Sequence, residues 1–494
     1  MKNQEALLTL LSRMGSSGRA ESERRDEFCR MFYAPREHMG ALDPDVSLIL
    51  GPRGSGKTAL FRAVTEFDLS DTLRERNPKA RIHQNCAWVA VKLYEKSYPD
   101  QTQLRTFFET QSLTEDASSG FWQCVLVRAL WDQLDNRGKS ECQAIRAAEA
   151  TTADFLAVGQ QFSPVAATAL DRLDDNLEAN GRILFVGFDE LDLLVSRNGR
   201  AASTLVGFWA SRWRRWKGIR AKLFVRSDIY RRFIVEGGAD LAKLSANRFE
   251  LKWTDESLLS MLVKRVINSD STLWSKTLGL KKRDLVEDPR LGLSLQSDSV
   301  EALYQVVHAI VGDYMGAGPK KGATETWVLG HIKDCLGNAS PRSLVRMFEL
   351  AAEKQIADKY ETDAVILAPT YLRQALTTVS ADHVRSSMDE WPWLVGLQER
   401  LAKWTNLRQV PMERKPLEIQ LRKTWGDRWD PILNEPPCDD PLEFVPMLIE
   451  IGLLKERKDG RLETTDLYLD GLGFKRKGGV RRKVLGPAKR HVGS

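Results

Sequence analysis

Short apolar runs alternate with longer stretches of helical period along the chain. "VSLIL" (Val46 to Leu50), "AWVAVKLY" (Ala87 to Tyr94), "RILFVGF" (Arg182 to Phe188), "AKLFVRS" (Ala221 to Ser227) and "RFEL" (Arg248 to Leu251) are brief and mostly apolar at consecutive positions. Runs of this kind suit strands buried on both faces of a parallel sheet. "KTALFRAVTEF", "SSGFWQCVLVRALWDQL" and "STLVGFWASRWRRW" between them read as helices. Strands alternating with helices predict an α/β core, a parallel sheet covered on both sides. In the last of these helices Trp209, Trp213 and Trp216 recur at i, i+4 and i+7. They share one face, which is expected in the core rather than stacking on nucleic acid.

The first strand runs into "GPRGSGKT": Gly51, Pro52, Arg53, Gly54, Ser55, Gly56, Lys57 and Thr58. The spacing is G-x-x-x-x-G-K-[ST], in the strand–loop–helix context that pattern needs. Glycines let the loop amides close on a phosphate chain. Lys57 is expected at the β- and γ-phosphates, and the Thr58 hydroxyl on Mg²⁺. The third strand ends in Asp189-Glu190. Asp189 is expected to hold Mg²⁺ through water, and Glu190 to orient and deprotonate the attacking water. Asp192 is open between a metal role and a helix cap.

With these two motifs in place, the chain resembles an extended AAA-type P-loop ATPase, the class of AAA+ machines, replication initiators and STAND signalling ATPases. The resemblance runs from about Phe32 to Tyr360. It implies ATP and Mg²⁺ as cofactors. It puts Ser227, at the end of the fourth strand, between the phosphate loop and the metal aspartate. It makes Arg248 the arginine that reaches the nucleotide of a neighbouring subunit, and so implies a homo-oligomer. "GNASPRSLVRMFELAAEKQI" resembles the third helix of a helical lid, with Ser340 as N-cap and Arg342 in its first turn. A helix dipole disfavours a cation there, which points Arg342 at an anion such as the γ-phosphate.

From Lys57 to Asp189 is 132 residues, more than one strand and one or two helices require. Part of 95–181 is therefore an insertion. Its apolar helix is expected to pack in the core, with partner docking as the alternative. Near the C-terminus, "DPLEFVPMLIEIGLLKERKDGRLETT" reads as an apolar helix and then a hairpin turning at Asp459-Gly460. Helix followed by hairpin resembles a winged helix. The helix has no basic residue and holds Pro446, which disturbs it unless the helix begins there. Base reading by that helix is not expected, whereas the wing (Lys455, Arg457, Lys458, Arg461) can meet phosphates.

The expected organisation is an N-terminal helical segment (1–31), a P-loop core (32–253) with an insertion around 96–181, a helical lid (254–380), a winged-helix-like domain (381–473) and a basic tail (474–494). The net charge is +6, but eight cations and no acids follow Asp470, leaving −2 for the rest. Lys475, Arg476, Lys477, Arg481, Arg482 and Lys483 are thus the candidate contact for nucleic acid without sequence preference. Composition (42% hydrophobic, 28% charged) fits a folded chain with no membrane partner, since no apolar run nears the roughly 20 residues of a span. The N-terminus shows no signal-peptide pattern. Six scattered cysteines without a CxxC pair read as reduced thiols, so the chain is expected in the cytoplasm, with no structural zinc.

The function expected is an ATP-hydrolysing regulatory or assembly ATPase acting on a separate effector protein or DNA. The resemblance extends to ATPases of bacterial phage-defence operons. Two alternatives stay open: a DNA-loading or remodelling ATPase of initiator or transposition-regulator type, and a nucleotide-gated switch with negligible turnover.

Overall fold

The computed structural model describes residues 3–15, 24–111, 113–194, 199–231, 244–296, 299–425, 436, 438 and 440–477. The chain divides into two compact units. One comprises residues 19–254 and 288–292, the other 1–18, 255–287 and 293–494.

The first unit is built on five parallel strands: β1 (Leu48–Gly51), β2 (Cys86–Val91), β3 (Ile183–Phe188), β4 (Ile219–Arg226) and β5 (Phe249–Glu250). Their order across the sheet is β2-β3-β4-β1-β5. All five predicted strands form, with ends displaced by a few residues. β2, for instance, stops at Val91, and Lys92 beyond it pairs with Glu66 at 2.7 Å. Side chains alternate between the faces, as the pleat requires. Leu48, Leu50, Leu223 and Val225 enter one core with Val186, Phe188 and Trp209, whereas Ile49 and Phe224 enter the other with Phe61 and Val64. This is an α/β P-loop NTPase fold: β4 lies between the glycine-rich strand β1 and the acidic strand β3, and all carboxyl ends open on one side.

The insertion is helical. Helices Glu115–Ala129 and Thr152–Ala179 approach closely enough that a Cβ on Gly120 would stand 2.7 Å from the Gly159 carbonyl oxygen. Phe121, Trp122, Val125 and Leu126 are fully buried, so the apolar helix is core and not a docking face. Trp209 and Trp216 are buried, and Trp213 packs on the same core. The helix that carries Trp209 ends at Arg212, so Trp216 reaches the core from the turn beyond it.

In the second unit, helix Pro341–Ala357 buries Leu344, Val345, Phe348 and Ala352 along one stripe. Ser340 stands at its N-cap, but its hydroxyl makes no capping hydrogen bond. Residues 1–31 do not stay together. Helix Gln4–Leu11 belongs to this unit, where Gln4 Nε2 donates to the carbonyls of Val365 (3.0 Å) and Ile366 (2.9 Å). Helix Arg25–Met31 belongs to the sheet unit, with Phe28 stacked on Phe32 and tilted against Phe67. The boundary expected after residue 380 falls inside a continuous helix, Pro369–Glu390.

The C-terminal part runs helix Trp393–Lys403, strand Gln409–Val410, helix Arg414–Thr424, helix Pro441–Glu450 and an antiparallel hairpin of Lys455–Glu456 with Leu462–Glu463. Met412 and Leu462 bridge the strand to the hairpin through two hydrogen bonds of 2.8 Å. The helix holding Pro446 begins at Pro441, so Pro446 stands inside it, on the exposed side with Leu442. No helix among the described residues is long and apolar enough to cross a membrane.

Candidate nucleotide-binding site

The phosphate loop closes because two of its residues adopt backbone that side chains resist. Gly54 has φ +73° and Gly56 φ +91°, both in the left-handed region. Gly51 is needed for space: a Cβ there would lie 2.4 Å from Ser55 Oγ. Helix Lys57–Thr65 starts directly from Gly56, which has no side chain with which to cap the first amides. Those amides and the positive end of the helix dipole face the loop. Lys57 Nζ donates to the carbonyls of Gly51 (2.9 Å) and Pro52 (3.0 Å), so the amine lies along the loop. Burial lowers its pKa, and the carboxylates of Asp189 and Asp192 work against that shift.

Asp189 follows β3 and meets the start of that helix. The Thr58 hydroxyl and the Glu190 backbone N–H donate to its carboxylate, yet burial pushes its pKa up to about 6. Asp189 Oδ2 is buried without a hydrogen-bond partner. A carboxylate oxygen left in this condition beside a threonine hydroxyl fits a hard divalent cation, which would supply the missing charge and accept both oxygens as ligands. Glu190 has φ +57°, a conformation that costs a side-chain-bearing residue of order 1–3 kcal/mol. Its side chain lines a small cleft with Thr58, Glu66, Lys92, Tyr94 and Asp189. Asp192 sits in the following 3-10 turn, and the next helix takes Gly199 as its N-cap, so capping is not its role.

The remaining predicted residues are placed as follows. Ser227 follows β4 at the carboxyl edge, directly after the pair Arg226–Gly51, and opens the short helix Ser227–Ile229. Its hydroxyl donates to Glu250 Oε1 at 3.3 Å. Arg248 is exposed just before β5. Its guanidinium donates to the Ser245 carbonyl (3.0 Å) and lies 5.9 Å from the Tyr230 ring centroid. Arg342 is exposed in the first turn of helix Pro341–Ala357, in the second unit.

Sequence reasoning missed two features here. Arg226 and Asp228 form a two-point ion pair, Nε to Oδ1 at 3.1 Å and a terminal nitrogen to Oδ2 at 2.6 Å, and both charges act on Lys57. A charged i, i+2 pair straddling the strand end was the available signal. Trp253 donates its indole N–H to the Ser55 carbonyl at 2.8 Å. No local signal marks it.

The hairpin expected as a wing is less basic in effect than in composition. Lys455 pairs with Glu463 at 2.9 Å, Arg457 with Glu463 at 3.2 Å, and Arg461 with Asp459 at 2.6 Å. Lys458 is exposed. Each pair is worth little to stability, but its carboxylate must be displaced or tolerated when a phosphate approaches. The tail begins as a strand: Lys475 and Arg476 pair in parallel with Gln409 and Val410. Arg476 is bound to Asp466 at 3.0 Å, and Lys475 and Lys477 are exposed. Arg481, Arg482 and Lys483 lie outside the described residues.

No family model matches the chain, and no curated protein matches it. Solved structures similar to it include the ORC2 protein of Aeropyrum pernix, with ADPNP and ADP, at 15% identity and TM-score 0.39 over 92% of each chain. The Walker-type ATPase of Pyrococcus abyssi is similar at 12% identity and TM-score 0.39, over 91% of this chain and 96% of that one. The Aeropyrum pernix ORC1 protein in complex with DNA is similar at 12% identity and TM-score 0.35, over 95% and 92%. The assignment of fold stands on this chain's own sheet order and phosphate loop.

Proposed function

We propose that the chain binds ATP with Mg²⁺ and hydrolyses it, as a regulatory or assembly ATPase acting on a partner protein or on DNA. The observation that supports this most is the buried, partnerless Asp189 oxygen beside Thr58, with Lys57 along the loop and Glu190 in the adjoining cleft. Asp189 and Thr58 would hold Mg²⁺, which when bound would supply positive charge to offset that of the phosphates. The chain's own residues do the rest. The loop amides and Lys57 hold and orient the phosphates, Asp189 and Thr58 fix the cation, and Glu190 holds the proton of the attacking water. An acid placed there has a use in hydrolysis that a binding-only switch lacks. The test is phosphate release by the purified full chain with and without Mg²⁺. Turnover that requires the cation supports the reading, and absence of both turnover and ATP binding overturns it.

Arg248 is proposed to act on the nucleotide of a second copy. Its exposure, and its position at the entry of β5 rather than at the carboxyl edge, support this. Mixing inactive Lys57→Ala chains with inactive Arg248→Ala chains is expected to restore part of the turnover, because mixed oligomers contain intact composite sites. Failure to recover at any mixing ratio, with mixed oligomers demonstrated, rejects the role in trans.

A nucleic-acid contact is proposed for the C-terminal segment and not for the wing. Three of the four hairpin cations are ion-paired, whereas Lys475 and Lys477 are exposed, and five more Lys and Arg residues and no acidic ones follow Lys477 in the sequence. Deleting residues 475–494 is expected to lower affinity for random-sequence duplex uniformly. The slope of log K against log salt should become shallower by roughly 0.9 for every phosphate that the segment neutralises. Basal ATP hydrolysis should be unchanged. Equal slopes for both chains would leave the segment without this role.

A further inference from the structure

We infer that Trp253 is a positioning residue for the phosphate loop and couples the loop to the segment through which the chain leaves the sheet unit. The inference rests on the nucleotide reading above. The Ser55–Gly56 peptide is planar and trans, so its N–H points opposite to its C=O. The Trp253 indole N–H holds the Ser55 carbonyl at 2.8 Å. Fixing that carbonyl outward turns the Gly56 amide away from the indole and into the loop, where a phosphate oxygen can accept from it. The ring also stands beside Gly56, where a Cβ would lie 3.7 Å from its Cζ2, and it meets His38 edge-on at 5.0 Å.

Both neighbours of Trp253 are tied to the unit as well. The Lys252 carbonyl accepts from His38 Nε2 at 2.8 Å, and Thr254 Oγ1 donates to Glu37 Oε1 at 3.3 Å. Burial lowers the His38 pKa, so at neutral pH the ring is neutral and carries its proton on the nitrogen that faces the carbonyl. The unit ends at Thr254. Residues 252–254 are thus held at three successive points, and the middle one is the phosphate loop itself. A nucleotide that orders the loop therefore orders this exit segment. By reciprocity, an ordered segment favours the nucleotide.

Trp253→Phe keeps a ring against His38 and deletes the donor. It is expected to raise the Kd for ATP and ADP about 3- to 10-fold, the size of one hydrogen bond, and to raise KM with kcat at saturation little changed. In the parent chain, ATP is expected to slow amide exchange in peptides covering 249–254, and this protection should be largely abolished in Trp253→Phe. If the phenylalanine packs badly, 3-benzothienylalanine at position 253 preserves the bicyclic shape and removes only the N–H, with the same expected outcome. Unchanged Kd, or full nucleotide-induced protection of 249–254 in the donor-deleted chain, overturns the inference. Lys57→Ala is run alongside. If it binds ATP like the parent, the nucleotide reading itself has failed. If it loses ATP while Trp253→Phe behaves as the parent, only the Trp253 inference falls.

Discussion

Lys57→Ala is expected to lose ATP binding and hydrolysis together, whereas Glu190→Gln is expected to bind ATP normally and hydrolyse it about 10²- to 10⁴-fold more slowly. The two substitutions separate binding from chemistry because the residues face different things. The Lys57 amine lies along the loop between the Gly51 and Pro52 carbonyls, within the field of Asp189 and Asp192. Phosphates entering the loop would bring negative charge among those acceptors and carboxylates. Without the ammonium, each unit of added charge is opposed rather than met. Glu190 lines the cleft beyond Thr58 and Asp189 and does not belong to the loop. Glutamine there keeps size and hydrogen bonding but cannot take a proton. The measurements are equilibrium binding of ATP and single-turnover phosphate release for both variants, with unfolding midpoints as a control for folding. A glutamine variant turning over at the parent rate would remove Glu190 from the mechanism. A Lys57→Ala chain that still bound ATP tightly would remove the phosphate loop from it.

The parts of this site that were legible in the sequence are those written within a few residues. The phosphate loop is contiguous, and its glycines answer to φ values and to one close approach, which residue type alone can announce. Asp189-Glu190 follows an apolar run whose composition marks a central strand. What was not legible depends on pairs far apart. Trp253 and Ser55 are 198 residues apart, and Gln4 reaches Val365 across 361. A helix beginning at Gln4 reads alike whether it packs on the next element or on one near the far end, so residues 1–31 read as one segment although they divide between units. The C-terminal hairpin is an intermediate case. The alternating signs of "KERKDGRLE" did hold the information that its cations are ion-paired, since a hairpin turning at Asp459-Gly460 brings Lys455 opposite Glu463. Counting its basic residues without that register overstated its charge.

Asp174→Ala is expected to destabilise the sheet unit strongly, although Asp174 lies outside the site. Asp174 lies in the long helix of the insertion, and its carboxylate is buried. It accepts three successive backbone N–H groups at the entry to β4: Lys217 at 3.0 Å, Gly218 at 2.8 Å and Ile219 at 2.7 Å. The chain cannot easily shift to find other acceptors. A Cβ on Gly218 would stand 2.4 Å from the Leu177 Cβ, which shows how closely the turn is pressed on the helix. One turn back, Asp171 accepts from the Trp216 indole at 2.8 Å and pairs with Arg215, so helix and turn are joined along their length. Alanine leaves the Gly218 and Ile219 amides buried without partners. At about 1–3 kcal/mol for each such group, the expected loss is about 2–6 kcal/mol. Asparagine retains an oxygen where Oδ1 now serves Gly218 and Ile219 and gives up only the hydrogen bond from Lys217, so it should recover more than half. The measurement is urea unfolding with and without excess ATP. Only the transition of the nucleotide-binding unit should move with ligand, and that transition should shift in Asp174→Ala. β4 also positions Arg226 and Ser227 beside the loop, so a folded Asp174→Ala chain should bind ATP more weakly than its Asp174→Asn counterpart. Equal midpoints for alanine, asparagine and parent would mean that water can replace the carboxylate at this turn, and that the insertion does not hold β4 in place.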